Sequence, residues 1–143
     1  MHSIAGKCNT CRFCPGRKRG LCKAVTGEDE LRLLARAHGP LSFVPARRPI
    51  FVEGDPTGSV YTLVSGWAFN YVHLSDGRRQ ILSFSLPGDL IGGELTHCYT
   101  KGAETLTDAT ICGLSHETVR DLMHRFPAID ERLLWLLRRN DAI

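Results

Sequence analysis

The spacing of apolar residues changes twice along this chain, and the changes separate a central β region from helical segments. Between Pro40 and Leu114, short runs rich in Val, Ile, Phe, Tyr and Leu alternate with turn residues, which is typical of a β-sandwich or barrel. Asp76-Gly77 lies between two of these runs and predicts a hairpin. The runs are Leu41–Val44, Ile50–Val52, Val60–Val64, Trp67–Leu74, Gln80–Leu86 and Glu104–Leu114.

Helical spacing is found on both sides of the β region. Thr26 is predicted to cap a first helix, which His38-Gly39-Pro40 ends. Ser115 is predicted to cap a second helix, and Pro127 to end it and begin a third. The second helix has apolar residues at helical spacing, namely Val119, Leu122, Met123 and Phe126.

The third helix has an apolar stripe of Ile129, Leu133, Leu136 and Leu137, with Trp135 beside it. Such a stripe needs a partner surface. One interpretation is that it packs back on the barrel. The interpretation we favour is a helix–helix seam of coiled-coil type, which would make the chain a homodimer through these four residues.

Four cysteines lie within the first 22 residues, at Cys8, Cys11, Cys14 and Cys22, with the spacing C-x2-C-x2-C-x7-C. This segment has no apolar periodicity, so we expect a bound group to order it. An iron–sulfur cluster and a zinc ion are the two groups that this thiol pattern suits. Lys and Arg residues between the cysteines would offset thiolate charge or attract an acidic partner.

Composition sets the remaining bounds. A chain of 143 residues with a net charge of +3 is long enough for one domain and a short appendage. It contains no run of about 18 apolar residues, so no membrane span is expected. Its first residues lack the apolar region of an export signal, so we expect a cytoplasmic protein with reduced thiols rather than disulfides. Its histidines show no spacing typical of a metal hydrolase, so no enzyme is expected.

Three glycine-containing segments resemble the core of cyclic-nucleotide-binding-like jelly rolls. They are Val52-Glu53-Gly54-Asp55, the run from Val60 to Gly66, and the run from Leu86 to Gly92. Together with the thiol cluster, they make the chain similar to the sensory part of a Crp/Fnr-family transcription regulator. The resemblance is strongest to the fumarate–nitrate reduction regulator type, which carries a [4Fe–4S] cluster.

This resemblance implies a ligand set. The oxygen sensors of the family use three N-terminal cysteines and one distant cysteine late in the barrel. Cys11, Cys14 and Cys22 resemble the N-terminal three, and Ala109–Leu114 resembles the strand that holds the fourth, which would be Cys112. Cys8 has ligand spacing too and is an alternative to Cys11. Cys98 matches no ligand position and is expected to be a small buried residue.

Two alternatives stay open at the sequence level. Zinc would be satisfied by Cys8, Cys11, Cys14 and Cys22 alone, which would leave Cys112 as an ordinary core residue. Cyclic-nucleotide binding is disfavoured: Gly93-Glu94-Leu95 resembles the ribose-binding segment, but Thr96–Thr107 contains Lys101 and no arginine to pair with the phosphate.

The resemblance also implies an organisation and a function. Residues 1–25 would bind the cluster, residues 26–126 would form the sensory barrel, and residues 127–143 would begin the dimerisation helix, with the DNA-binding domain absent. Oxidation of the cluster would control dimerisation, and DNA binding would belong to a full-length regulator. If the chain is instead a naturally short protein, it could form heterodimers with full-length relatives through the Ile129–Leu137 stripe.

Overall fold

The computed structural model describes residues 2–7, 28, 32, 40–93 and 97–141. Besides the helical residues Glu28 and Arg32, this part of the chain contains nine strands followed by two C-terminal helices. The strands are β1 (His2–Lys7), β2 (Pro40–Val44), β3 (Pro49–Phe51), β4 (Ser59–Ser65), β5 (Ala68–His73), β6 (Arg79–Ser85), β7 (Leu90–Ile91), β8 (Gly102–Thr105) and β9 (Ala109–Ser115). The helices are α1 (His116–Arg125) and α2 (Pro127–Asp141).

The strands form two antiparallel sheets. One has five strands in the order β1-β2-β9-β4-β7, and the other has four in the order β3-β8-β5-β6. The non-sequential neighbours are typical of a jelly roll, so the predicted fold class is confirmed. The hairpin prediction is also confirmed, since β5 pairs with β6 and Gly77 between them has φ 87°.

The prediction that Glu104–Leu114 forms a single strand was wrong. Leu106–Asp108 separates β8 in one sheet from β9 in the other. Polar side chains hold this turn: Thr107 Oγ1 accepts from the Trp67 N–H at 3.0 Å, and Asp108 Oδ1 accepts from the Ala46 N–H at 2.8 Å. The two-residue strand β7 was not predicted, because so short a run carries no periodicity.

One apolar cluster lies between the two sheets. Alternation along the strands places every second side chain there, so Leu63 of β4 and Ile111 of β9 have no exposed surface. The cluster comprises Val44, Ile50, Phe51, Leu63, Ala68, Ile91, Tyr99, Ala103, Ala109 and Ile111, with Tyr61 against it.

A second cluster joins the outer face of the five-stranded sheet to the helices. Val60, Leu90 and Leu114 contribute from the sheet. The helices contribute Val119, Leu122, Ile129, Leu133 and Leu136. Ser115 caps α1 by accepting from the Thr118 N–H at 3.1 Å, and Pro127 begins α2, both as predicted.

This second cluster corrects the favoured interpretation of the α2 stripe. Ile129, Leu133 and Leu136 are only 1–3% exposed because they pack on the barrel of their own chain. These three residues therefore cannot form the predicted homodimer seam, and the barrel-packing alternative describes them. The Leu137 side chain lies outside the described part of the structure.

Two further predictions concern helices. Of the predicted helix that begins at Thr26, the structure describes Glu28 and Arg32, both helical and exposed, and the other positions lie outside the described residues. Within the described ranges, no helix has both the length and the apolar character needed to cross a membrane.

Candidate cofactor site

Cys112 lies near the middle of β9, between β2 and β4. Its Cα partners are Leu41 in β2 and Thr62 in β4. Leu114, two residues along the same strand, belongs to the cluster that the helices cover, whereas Ile111 faces the space between the sheets. Because successive side chains alternate, Cys112 shares the outer face with Leu114 and the buried Thr62. Its thiol is half-buried and forms no disulfide.

The sequence positions that hold the N-terminal thiols are flanked by two described residues of the same sheet. Lys7, the last residue of β1, pairs with Pro40, the first residue of β2. The next residue of β2, Leu41, pairs with Cys112. Strands lie about 4.8 Å apart, so the end of β1 is about 10 Å from the Cys112 backbone. The two described residues that flank positions 8–39, Lys7 and Pro40, therefore lie in the sheet close to Cys112.

The other predicted ligands, Cys8, Cys11, Cys14 and Cys22, lie outside the described residues, so their positions stay predictions. Among the described residues, no three His, Cys, Asp or Glu side chains are grouped as metal ligands. Cys98 was predicted to be buried, and this was wrong. It is exposed in the loop before Tyr99, where its backbone forms an isolated antiparallel β-bridge with Pro56.

The predicted set of four thiolates would suit an iron–sulfur cluster. Four thiolates are the usual ligands of a [4Fe–4S] centre, and one of them can be distant in sequence. Cys112 is a half-buried thiol on the outer face of the sheet, beside both attachment points of the segment that holds the other thiols. A closed zinc site of four N-terminal thiols would not need Cys112, and the closeness of Cys112 to Lys7 and Pro40 would then have no role.

The space between the sheets is filled near Gly92, where the sequence resembles a nucleotide-binding segment. Phe51 and Tyr99 stack with their ring centroids 3.7 Å apart and their planes 6° from parallel. The Tyr99 hydroxyl donates to the Ser59 carbonyl at 2.7 Å. A Cβ on Gly92 would lie 2.9–3.1 Å from these two rings. Glu94 lies outside the described residues.

Sequence reasoning missed two features of the helices. Leu134 and Trp135 are about half exposed on the side of α2 that faces away from the barrel, and Arg132 stacks over Trp135 at 4.2 Å. His116 is buried at the start of α1, and its Nε2 has no hydrogen-bond partner in the described structure. Adjacent apolar residues at 133–137 indicate two apolar faces on one helix, which was the available signal for the first feature.

Comparison with known proteins agrees with this architecture. The family model of the cyclic nucleotide-binding domain matches residues 41–126. The transcriptional activatory protein AadR of Rhodopseudomonas palustris is 34% identical over 139 residues, which cover 94% of this chain and 52% of AadR. An anaerobic regulatory protein of Haemophilus influenzae is 32% identical over 90 residues, covering 62% of this chain and 35% of that protein.

A solved structure shows the same fold across nearly the whole chain. The sensor domain of the transcriptional regulator DNR from Pseudomonas aeruginosa superposes with a TM-score of 0.72 at 19% identity, covering 90% of this chain and 91% of that domain. The chain spans about half the length of AadR, or less in the case of the Haemophilus protein. With its jelly roll, its two C-terminal helices and these relatives, the chain belongs to the cyclic nucleotide-binding domain family, in the Crp/Fnr group of transcription regulators.

Proposed function

We propose that this chain is the oxygen- or redox-sensing part of a Crp/Fnr-type regulator, and that it holds a [4Fe–4S] cluster through Cys11, Cys14, Cys22 and Cys112. Cys8 is the alternative first ligand. A cluster held by thiolates supplies redox chemistry and is sensitive to oxidation. In a full-length regulator, the state of this domain would control dimerisation and DNA binding.

The observation that carries the proposal is the register around Cys112. The pairs Lys7–Pro40 and Leu41–Cys112 bring the attachment points of the thiol-rich segment next to the one described thiol on the helix-covered face. A bond between Cys112 and a group held by the N-terminal thiols would therefore close a short gap. It would tie a segment without an apolar pattern of its own to the barrel.

The names of the relatives support the direction of the proposal. AadR is named a transcriptional activatory protein, and the Haemophilus relative an anaerobic regulatory protein. A regulator of anaerobic metabolism needs a sensor that responds to oxygen or to redox state. Thiolate ligands in a segment ordered mainly by the cluster suit that role.

The route from Cys112 to the helices is short. Cys112 lies three residues before Ser115, which caps α1, and Leu114 between them belongs to the apolar cluster that contains residues of both helices. Loss of the bond at Cys112 would loosen the N-terminal segment beside this strand. The position of α2 is the feature through which such a change would reach a dimer partner.

The exposed face of α2 is the dimer surface that this proposal requires. Leu134 and Trp135 are 50% and 49% exposed, whereas the stripe on the opposite side of α2 is buried against the barrel. Helix–helix pairing through Leu134 and Trp135 would leave the barrel contacts of Leu133 and Leu136 intact. A dimer of this kind places two DNA-binding modules of a full-length regulator at successive major grooves.

Iron and acid-labile sulfide, measured on anaerobically purified protein, test the cluster. We expect a brown protein with about four iron atoms per chain, as the four-thiolate cluster type requires. Cys112→Ser should lose the iron, whereas Cys98→Ser should retain it, because Cys98 lies in an exposed loop on another part of the barrel. A melting curve of each variant after iron removal separates cluster loss from misfolding.

Two outcomes would contradict the cluster proposal. One is a colourless protein with one zinc per chain that Cys112→Ser leaves unchanged, which identifies a site of N-terminal thiols alone. The other is iron loss that is equal in the Cys98 and Cys112 variants, since that indicates general damage rather than the loss of a ligand.

Sedimentation equilibrium tests the dimer surface separately. Trp135→Glu should weaken dimerisation of the anaerobic protein by tenfold or more, which corresponds to about 1.4 kcal/mol. Phe84→Glu is the matched control, because Phe84 is 57% exposed on β6 in the four-stranded sheet. Equal weakening by both substitutions, or by neither, would reject α2 as the interface.

A further inference from the structure

One corner of the barrel combines two exposed arginines with two exposed apolar side chains. Arg47 and Arg48 lie in the turn between β2 and β3 and are exposed. Trp67 and Leu106 are 50% and 44% exposed in two other connections. We call these four residues the basic corner.

Backbone hydrogen bonds hold the connections of the basic corner together. The Arg47 N–H donates to the Thr105 carbonyl at 3.0 Å, and the Leu106 N–H donates to the Trp67 carbonyl at 2.8 Å. Thr105 is fully buried, and its hydroxyl donates to the Pro45 carbonyl at 2.6 Å while accepting from the Arg48 N–H at 3.0 Å. The four side chains therefore extend from a rigid base rather than from a loose loop.

Arg47 has an unusual backbone for its residue type. Its φ is 59°, a positive value that, among the described residues, is otherwise found at glycines. Glycine adopts this conformation without the steric cost of a Cβ, so an arginine here reduces stability. A strained residue that presents a charged side chain is a candidate for function.

The charges of the basic corner are available to a partner. In the described structure, neither Arg47 nor Arg48 has a carboxylate partner, whereas Arg78 pairs with Asp76 at 2.7 Å and Arg79 with Glu104 at 3.2 Å. Asp108 lies in the neighbouring connection, where its Oδ1 accepts from the Ala46 N–H at 2.8 Å. Two guanidinium groups without carboxylates are suited to bind carboxylates of another molecule.

We propose that the basic corner docks an acidic segment of a partner protein, with carboxylates on Arg47 and Arg48 and an apolar side chain on Trp67 and Leu106. Tryptophan and arginine are the residue types that contribute most to protein interfaces. The half-exposed indole and the leucine argue for a protein rather than for a nucleic-acid backbone, which needs cations and offers no aliphatic side chain to bury. This inference is independent of the cluster and of the α2 dimer.

Fluorescence anisotropy with a labelled probe peptide tests the proposal. The probe is a twelve-residue peptide of alternating Glu and Leu, and its comparison probes are a Lys–Leu peptide of the same length and a random-sequence DNA duplex. We expect the wild-type chain to bind the Glu–Leu peptide in preference to both. The double variant R47A/R48A should weaken this binding by about tenfold or more, as expected for two lost charge-assisted hydrogen bonds.

Two control variants distinguish binding at the basic corner from non-specific attraction of the peptide to positive charge. Arg78→Ala removes an exposed arginine that already pairs with Asp76, and it should leave the affinity unchanged. Trp67→Ser should weaken binding of the Glu–Leu peptide but not the electrostatic, salt-sensitive binding of a polyglutamate peptide. A loss in R78A equal to that in R47A/R48A would overturn the proposal, and so would tighter binding of the duplex than of the peptide.

Arg47→Gly gives a test that misfolding cannot imitate. The substitution relieves the positive φ, so the melting temperature should rise while peptide affinity falls. If the affinity stayed at the wild-type value in this better-folded variant, the arginine at this position would have no docking role.

Discussion

Gly66 must be a glycine because another part of the chain, at Asp108 and Ala109, packs against its Cα. It has φ 89°, and a Cβ there would clash with the Asp108 carbonyl oxygen and lie 2.8 Å from the Ala109 Cα. Gly77 has nearly the same φ, 87°, but nothing lies within 4 Å of its Cβ position. A comparison of the two glycines therefore separates two losses of stability on substitution. One comes from the positive φ, and the other from steric contact of the new side chain.

We expect Gly66→Ala to destabilise the protein by more than about 3 kcal/mol, because backbone atoms cannot move out of the way of the new methyl group. Gly77→Ala should cost only the left-handed conformation, about 1–2 kcal/mol. Urea unfolding of both variants measures the difference. Equal losses of unfolding free energy would mean that the β4–β5 connection can shift away from Asp108.

His116 is a second residue whose surroundings matter more than its type. It is the first residue of α1, at the positive end of the helix dipole, and it is buried with Nε2 unpartnered in the described structure. Burial lowers the pKa of His116 below the ordinary value of 6.5, and the nearby Arg120 lowers it further. The neutral imidazole is thus the form that the fold accommodates.

This lowered pKa predicts a loss of stability in mild acid. The unfolded chain takes up the proton near pH 6.5, whereas the folded chain takes it up only at lower pH. The stabilising contribution is complete above pH 6.5 and declines as the pH falls below it. His116→Gln should reduce the slope of unfolding free energy against pH between about pH 7 and pH 5, the range in which histidine titrates.

His73→Gln is the control for this experiment. His73 is exposed at the end of β5, where it contacts the edge of Tyr71. The control variant should keep the wild-type slope. If the two variants had the same slope as the wild type, His116 would have no part in the acid sensitivity.

At the scale of elements, α2 shows that one helix can carry two apolar faces with different partners. Ile129, Leu133 and Leu136 pack on the barrel, and Leu134 and Trp135 face away from it. The sequence pattern correctly identifies these three buried residues as one apolar stripe. It does not say which surface covers the stripe, because a barrel and a second helix are equally apolar.

The burial of Leu133 predicts a stability effect that does not depend on dimerisation. Leu133→Ala should cost about 2–5 kcal/mol of unfolding free energy, the range for a leucine deleted from a packed core. Leu134→Ala should cost much less in the monomer, since Leu134 is half exposed. Unfolding measured at low protein concentration tests this, and similar losses for the two variants would place Leu133 outside the core.

For the whole molecule, the filled interior predicts how the barrel responds to cyclic nucleotides. Phe51, Tyr61 and Tyr99 pack into the core between the sheets, and the Tyr99 hydroxyl is already bonded to Ser59. A nucleotide would have to displace this aromatic packing. We therefore expect the resemblance to nucleotide-binding domains to extend to the fold and not to the ligand.

We expect millimolar cyclic AMP or cyclic GMP to leave the melting temperature unchanged. A ligand at one hundred times its dissociation constant would add about 2.7 kcal/mol of stability, which a melting curve detects easily. Inorganic phosphate at the same ionic strength is the control. A shift that saturates with nucleotide concentration, and that phosphate does not reproduce, would contradict the expectation.

The sequence by itself determined most of the strands, the hairpin at Asp76-Gly77, the Ser115 cap and the jelly-roll class, because these depend on local turn chemistry and on alternation. It also identified Cys112 as a candidate, through resemblance. Only the tertiary structure decided that Leu106–Asp108 divides the last run, that the α2 stripe is buried on the barrel, and that Cys98 is exposed. The physical reason is the same in each case: an apolar or thiol side chain shows a preference for burial, but its actual neighbours come from strands far away in sequence, and their register decides what covers it.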